Sequence, residues 1–170
     1  MKATFGAGCF WHVEDLLAKT KGVTSTKVGY IGGQLTNPTY EDVCTDKTGH
    51  AEAVEVEYNP DEISFEKLLD VFWNNHNPTT LNRQGPDVGI QYRSAIFYHD
   101  NIQKEIAEKS KQKLDISKQY SDPIVTQIIP APIFYDAEEY HQKYFKKHGL
   151  SWNHFVIVAK ISDKYIYHDL

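Results

Sequence analysis

Sulfur is scarce in this 170-residue sequence, which holds two cysteines, Cys9 and Cys44, and a single methionine at its start. So few cysteines argue against a disulfide-stapled scaffold, and two thiols without clustered histidines make a poor zinc site, so no metal is expected. Long apolar runs are missing too, and nothing approaches the roughly 20 residues a membrane helix needs. Met1-Lys2-Ala3-Thr4-Phe5 runs straight into glycines without a stretch of signal-peptide character, so the expected location is cytoplasmic. Basic blocks are absent and the formal net charge is −5, which disfavours nucleic acid and membrane surfaces as partners. Repeats, low-complexity runs and linkers are lacking as well. The expectation is one domain over residues 1–170, monomeric, with about 151–170 as a tail packing on it.

What is present suits a packed globular chain: 41% hydrophobic and 24% charged residues. Aromatics reach 13% with 11 tyrosines, a hint of an aromatic-lined pocket, although exposed and interface tyrosines are common. Residues 3–7 read as a strand that feeds a helix from Cys9 to about Lys19, stopped near Gly22. Val23 to Tyr30 suits a strand, and a turn-rich loop from about Ile31 to His50 follows. Ala51 to Tyr58 alternates most clearly: Glu52, Val54, Val56 and Tyr58 share one face, while Glu55 and Glu57 point to water. Ser64 can cap a helix carrying Phe65, Leu68, Leu69, Phe72 and Trp73. A second long loop, Thr79 to Gln91, leads to a strand from Tyr92 to Tyr98 and to a helix capped by Asp100. Ile124 to Ile129 reads as a strand, Asp136 to Lys147 as a helix, and Phe155 to Ile161 and Tyr165 to Tyr167 as extended segments. Alternating strands and helices predict an α/β (α+β) two-layer sandwich, a mixed open sheet flanked by helices.

Gly6-Ala7-Gly8-Cys9-Phe10-Trp11 is the strongest chemical signal. A glycine-hinged strand-to-helix junction places Cys9 beside unpaired backbone N–H groups, where the helix dipole favours the thiolate. Free cysteine is often just a buried small hydrophobe, but this position favours reactivity. Trp11 falls off the helix's apolar stripe, among Glu14, Asp15 and Ala18, and asks for another role. Glu52, on the apolar face at a strand end, is expected to be desolvated and so able to hold a proton near neutrality. Read singly, Tyr40 and Tyr92 suit packing, and His50 and His76 suit structural roles. Glu138 and His141, one turn apart, read as a solvated helix face. Cys44 could be a resolving thiol, a ligand or neither, and the last is favoured. Two other functional classes stay open: a Cys-His acyl-transfer enzyme using His12, one turn beyond Cys9, and a non-catalytic interaction module.

Taken together, five segments carry a resemblance: Gly8-Cys9-Phe10-Trp11, Pro38-Thr39-Tyr40-Glu41-Asp42-Val43-Cys44, Thr48-Gly49-His50-Ala51-Glu52-Ala53-Val54, Arg83-Gln84-Gly85-Pro86-Asp87 and Gln91-Tyr92-Arg93-Ser94. In order and approximate spacing they resemble the peptide methionine sulfoxide reductases of the A type. The resemblance implies a catalytic domain with a ferredoxin-like core and long loops, reducing the S epimer of free and protein-bound methionine sulfoxide through a Cys9 sulfenic acid. It implies Glu52 as proton donor, Tyr40 and Tyr92 as hydrogen-bonding groups for the sulfoxide oxygen, Phe10 and Trp11 as a pocket for the S-methyl group, and Asp87 on the polar side of that pocket. No metal or organic cofactor is implied. Three positions depart from the pattern: His12 stands where glycine is commonest, and Asn77 where aspartate is usual before the proline. The third is the tail, for no cysteine follows Cys44 where many members carry recycling thiols. Direct reduction of Cys9 by thioredoxin, glutaredoxin or a small thiol is therefore expected, and Cys44 is the disfavoured alternative.

Overall fold

The computed structural model describes residues 1–150. The proposed tail and the extended segments at Phe155 to Ile161 and Tyr165 to Tyr167 lie outside the described residues. In chain order the elements are β1 (Lys2–Ala7), α1 (Phe10–Ala18), β2 (Val23–Ile31), α2 (Tyr40–Cys44), β3 (Ala51–Tyr58), α3 (Phe65–Asn74), β4 (Arg83–Gln84) and β5 (Asp87–Val88). A 3-10 turn at Ile90–Tyr92 leads to β6 (Ser94–Tyr98), α4 (Asn101–Ser117), β7 (Gln127–Pro130), β8 (Tyr135–Asp136) and α5 (Tyr144–Lys147).

One sheet runs in the order β7-β6-β1-β3-β2-β8, parallel only between β6 and β7 and antiparallel elsewhere, and β4 and β5 form a separate ribbon. The four central strands, linked as β1-α1-β2-β3-α3-β6, have the ferredoxin-like order. The mixed sheet with flanking helices is the architecture expected from the sequence.

Alternation along β3 sorts its side chains as expected. Val54, Val56 and Tyr58 join the main core with Phe5, Phe10, Leu17, Leu68, Leu69 and Phe72, all buried. Ala51 and Ala53 face the other way, into a small second core with Ile31, Ala95 and Phe97, flanked by Ala131 and Phe134. Small residues there let the irregular 131–134 segment lie close against the sheet. Ser64 caps α3 by accepting from the Lys67 N–H, and Asp100 caps α4 by accepting from the Gln103 N–H.

Four sequence-based elements are corrected. The loop after β2 contains the short helix α2, whose Thr39 and Asp42 form a reciprocal capping box. Tyr92 lies in the 3-10 turn rather than in β6, and the strand read from Ile124 starts at Gln127. The helix expected over Asp136 to Lys147 is mostly not one. The Ala137 N–H donates to the Val28 carbonyl, and the Gln142 side chain both accepts from the Val28 N–H and donates to its carbonyl. Sheet-edge bonds thus outweigh helical propensity, and Lys143, at φ 52°, turns the chain before α5 begins.

Candidate active site

Gly8 has a φ of 91°, a conformation natural to glycine, and it turns the chain from β1 into α1. Cys9 is the N-cap of α1, only partly buried, while Phe10 beneath it is 1% exposed. From β3, which pairs with β1, Glu52 rises into this junction and its Oε2 accepts from the Phe10 N–H at 3.1 Å. Its side chain is 2% exposed. Burial, assisted by Asp87, pushes the Glu52 carboxyl up to about 8 against an ordinary 4.5, although the Phe10 N–H opposes the shift. Glu52 is therefore a carboxylic acid at neutral pH.

Cys9 departs from the sequence-based expectation of a favoured thiolate. The Trp11 and His12 backbone N–H groups do favour the thiolate, as a helix start should, but burial and the Glu52 charge outweigh them and push the thiol up to about 12. Part of this opposition vanishes while Glu52 is protonated, because a neutral neighbour exerts no charge repulsion. The two groups are thus matched as a resting thiol and a resting acid.

Asp87, on the β4–β5 ribbon, acts electrostatically on Cys9, Glu52 and Tyr92 together. That ribbon leans over the hinge: a Cβ on Gly8 would meet the Gln84 side chain at 2.7 Å, and Gln84 is itself fixed by the Asn77 N–H. The Tyr92 hydroxyl is raised by burial and by Glu52, Asp87, Cys9 and Cys44, so it stays a neutral donor. Tyr40 is also held neutral, chiefly by its hydrogen-bonded neighbour Cys44 and then by burial. Cys9, Glu52, Asp87, Tyr40 and Tyr92 therefore form one cluster. Cys44, exposed at the end of α2, sits at its margin rather than apart from it.

Trp11 is not idle on its helix. Its ring stacks on Tyr144 with centroids 3.8 Å apart, and its indole N–H donates to His141 Nδ1 at 3.1 Å. Nor are Glu138 and His141 the solvated pair the sequence suggested: the His141 side chain is 2% exposed, against 31% for Glu138. Glu138 accepts from the Tyr30 hydroxyl at 2.9 Å and the Tyr40 N–H at 2.8 Å. His141 packs against Phe10, Trp11 and Tyr40. The one-turn spacing of these two residues was the available signal; their partners, about a hundred residues away in the chain, gave it no local trace. Glu14, off the apolar stripe of α1 beside Trp11, is likewise buried.

His12 packs its ring on Phe145 and is lowered by burial. His50 accepts from the Gly33 N–H, and His76 bonds the Phe72 carbonyl and the Ser94 hydroxyl, both structural placements. Among the described residues no group of three or more His, Cys, Asp or Glu side chains could hold a metal ion. No described helix is long and apolar enough to cross a membrane.

A family model described as peptide methionine sulfoxide reductase matches residues 1–168. Peptide methionine sulfoxide reductase MsrA of Methanothermobacter thermautotrophicus is 63% identical over 146 residues, 86% of each chain. Among solved structures, reduced Mxr1 of Saccharomyces cerevisiae superposes with a TM-score of 0.83 at 37% identity, covering 90% of this chain and 88% of that one. Mxr1 in complex with Trx2 matches at a TM-score of 0.60 and 31% identity, over 85% of this chain and 84% of that one. A cysteine at a glycine hinge, a protonated glutamate beneath it and a relative this similar along nearly the whole length lead to one conclusion: the chain belongs to the peptide methionine sulfoxide reductase family, among its MsrA-type members.

Proposed function

We propose that the chain reduces the S epimer of methionine sulfoxide, free or within proteins, to methionine, with Cys9 as nucleophile and Glu52 as acid. The observation that carries this reading is the buried Glu52 carboxyl, raised to about 8 and acting directly on the Cys9 thiol. A sulfoxide oxygen leaves poorly as an anion, so its protonation during attack at sulfur lowers the barrier. Glu52 gives its proton to that oxygen as the Cys9 sulfur bonds to the substrate sulfur. The substrate S–O bond then breaks as the oxygen passes, as hydroxyl, to the Cys9 sulfur. As the bond between the two sulfurs breaks, its electron pair stays with the substrate sulfur, methionine leaves reduced, and Cys9 is oxidised to the sulfenic acid. The proton shed by the Cys9 thiol returns to the Glu52 carboxylate.

Tyr40 and Tyr92, both kept neutral, can donate to the sulfoxide oxygen. Trp11, with Phe10 behind it, offers an apolar wall for the S-methyl group, and Asp87 lines the polar side. An external thiol, such as that of a thioredoxin or glutaredoxin or a small thiol, then displaces water from the sulfenic acid. A second thiol cleaves the resulting mixed disulfide and frees Cys9. The yeast relative's complex with Trx2 supports a thioredoxin-like reductant. The reading is of a monomer acting in the cytoplasm as one domain, without metal or organic cofactor.

One turnover without reductant tests it. Racemic methionine sulfoxide should yield one equivalent of methionine per enzyme, consume only the S epimer, and leave a Cys9 sulfenic acid that mass spectrometry detects with a trapping probe. Cys9→Ser should yield none. Methionine formed by that variant would overturn the nucleophile; a Cys9–Cys44 disulfide would replace direct external reduction with an internal step. Ester or amide cleavage without sulfoxide would favour acyl transfer, and full function after Cys9→Ser would favour an interaction module.

A further inference from the structure

His141 is one of the most deeply buried polar side chains in the described molecule, at 1% exposure, and the reaction scheme above gives it nothing to do. An indole nitrogen can only donate, so the Trp11 bond at 3.1 Å requires His141 Nδ1 to accept. The ring proton is then on Nε2. That atom is buried without a hydrogen-bond partner among the described residues, and the Glu138 Oε2 lies 3.9 Å from it. Burial lowers the His141 pKa, which suits the neutral ring that this bond needs. A buried donor left without a partner costs stability, so its retention asks for a reason.

Its surroundings supply one. The ring packs on Trp11 and Phe10 of α1, with centroids 5.6 and 5.2 Å away, and on Tyr40 of α2 at 4.6 Å. Three residues earlier, Glu138 holds the Tyr40 N–H through its other oxygen. The 138–141 turn therefore grips, from outside both helices, the residues read as the methyl wall and as one of the oxygen donors. The turn itself is anchored to β2 through Ala137, Gln142 and the Tyr30 hydroxyl.

We propose that His141, supported by Glu138, is a positioning residue: it fixes the Trp11 indole and the adjoining Tyr40 ring in the geometry that receives the sulfoxide, and so sets substrate affinity rather than the chemical step. This rests on the pocket roles given above to Trp11 and Tyr40. Among the described residues the indole is otherwise held by packing, through a half-buried stack on Tyr144 and the edge of the main core, and packing fixes a ring's orientation less sharply than a hydrogen bond.

His141→Phe keeps an aromatic ring but removes the acceptor, whereas His141→Asn places an amide oxygen close to where Nδ1 stood. His141→Phe should raise KM for methionine sulfoxide roughly tenfold, the worth of one lost hydrogen bond, and leave kcat within about twofold. His141→Asn should recover most of that affinity. In a 15N-labelled sample the Trp11 indole N–H resonance, assigned by its loss in Trp11→Phe, should move in His141→Phe and stay near its wild-type position in His141→Asn. An unmoved resonance, or an unchanged KM in His141→Phe, would overturn the proposal. Should His141→Phe not fold, His141→Leu, which also lacks the acceptor, takes its place, and adding it to Trp11→Phe is the decisive comparison. No further rise in KM supports action through the indole, and a large further rise refutes it. Wild-type enzyme unable to reduce methionine sulfoxide would defeat the functional reading instead, and the resonance would still report on His141.

Discussion

Glu14 and Glu52 are both 2% exposed, both raised by burial, and lie a few residues from Cys9 in sequence or in space, yet their surroundings separate them. Glu14 accepts from the Thr26 hydroxyl at 3.0 Å and from the Lys143 N–H at 2.7 Å, with Lys143 and Lys147 charges pulling its pKa back down. Glu52 has a single backbone donor and a like-charged neighbour in Asp87. Burial alone does not make an acid catalyst. A carboxyl becomes one where the fold withholds the donors and cations that would hold it ionised.

The largest expected effect tests that distinction. Glu52→Gln should lower kcat on the order of 10²–10⁴-fold and remove the basic limb of the pH–rate profile, which single-turnover kinetics will show. A rate close to wild type would place the acid elsewhere. Next comes stability. Because the folded Glu52 carboxyl titrates near 8 rather than 4.5, the unfolded chain binds fewer protons than the native one between those values. Stability therefore falls as pH rises through that window, by up to about 1.4 kcal/mol per pH unit. Denaturant melts at pH 5 and 8 should show this fall in the wild type and its loss in Glu52→Gln; equal slopes would break the comparison. Smallest is Glu14→Gln, which cannot accept from both donors at once and should cost about 1–2 kcal/mol in the same melts. Its single-turnover pH profile should keep the wild-type shape, and a profile shifted as in Glu52→Gln would make the two carboxyls equivalent after all.

Much of Glu52 was legible in the sequence, because strand alternation is strictly two-fold and Ala51 to Tyr58 alternates cleanly. The glycine hinge at Cys9 and the caps at Ser64 and Asp100 were legible for the same reason: each is a local rule met by neighbouring residues. Glu14 was not, since its partners Thr26 and Lys143 lie 12 and 129 residues away. Residues 136–147 misled for a related reason, as their composition suits a helix while their hydrogen bonds go to Val28. The Cys9 shift was hidden as well. Helix-start donors can be read from position, but the burial that outweighs them comes from the whole fold.

The bonds from Ala137 and Gln142 to Val28 have a consequence of another kind. Together with β8, they occupy residues 28–30 on the outer rim of β2, whose free N–H and C=O groups would otherwise invite another chain to add a strand. The turn that steadies Trp11 and Tyr40 is thus also the guard against self-association at that rim. A change that loosens this turn would therefore bare that stretch of rim together with the two pocket residues the turn holds.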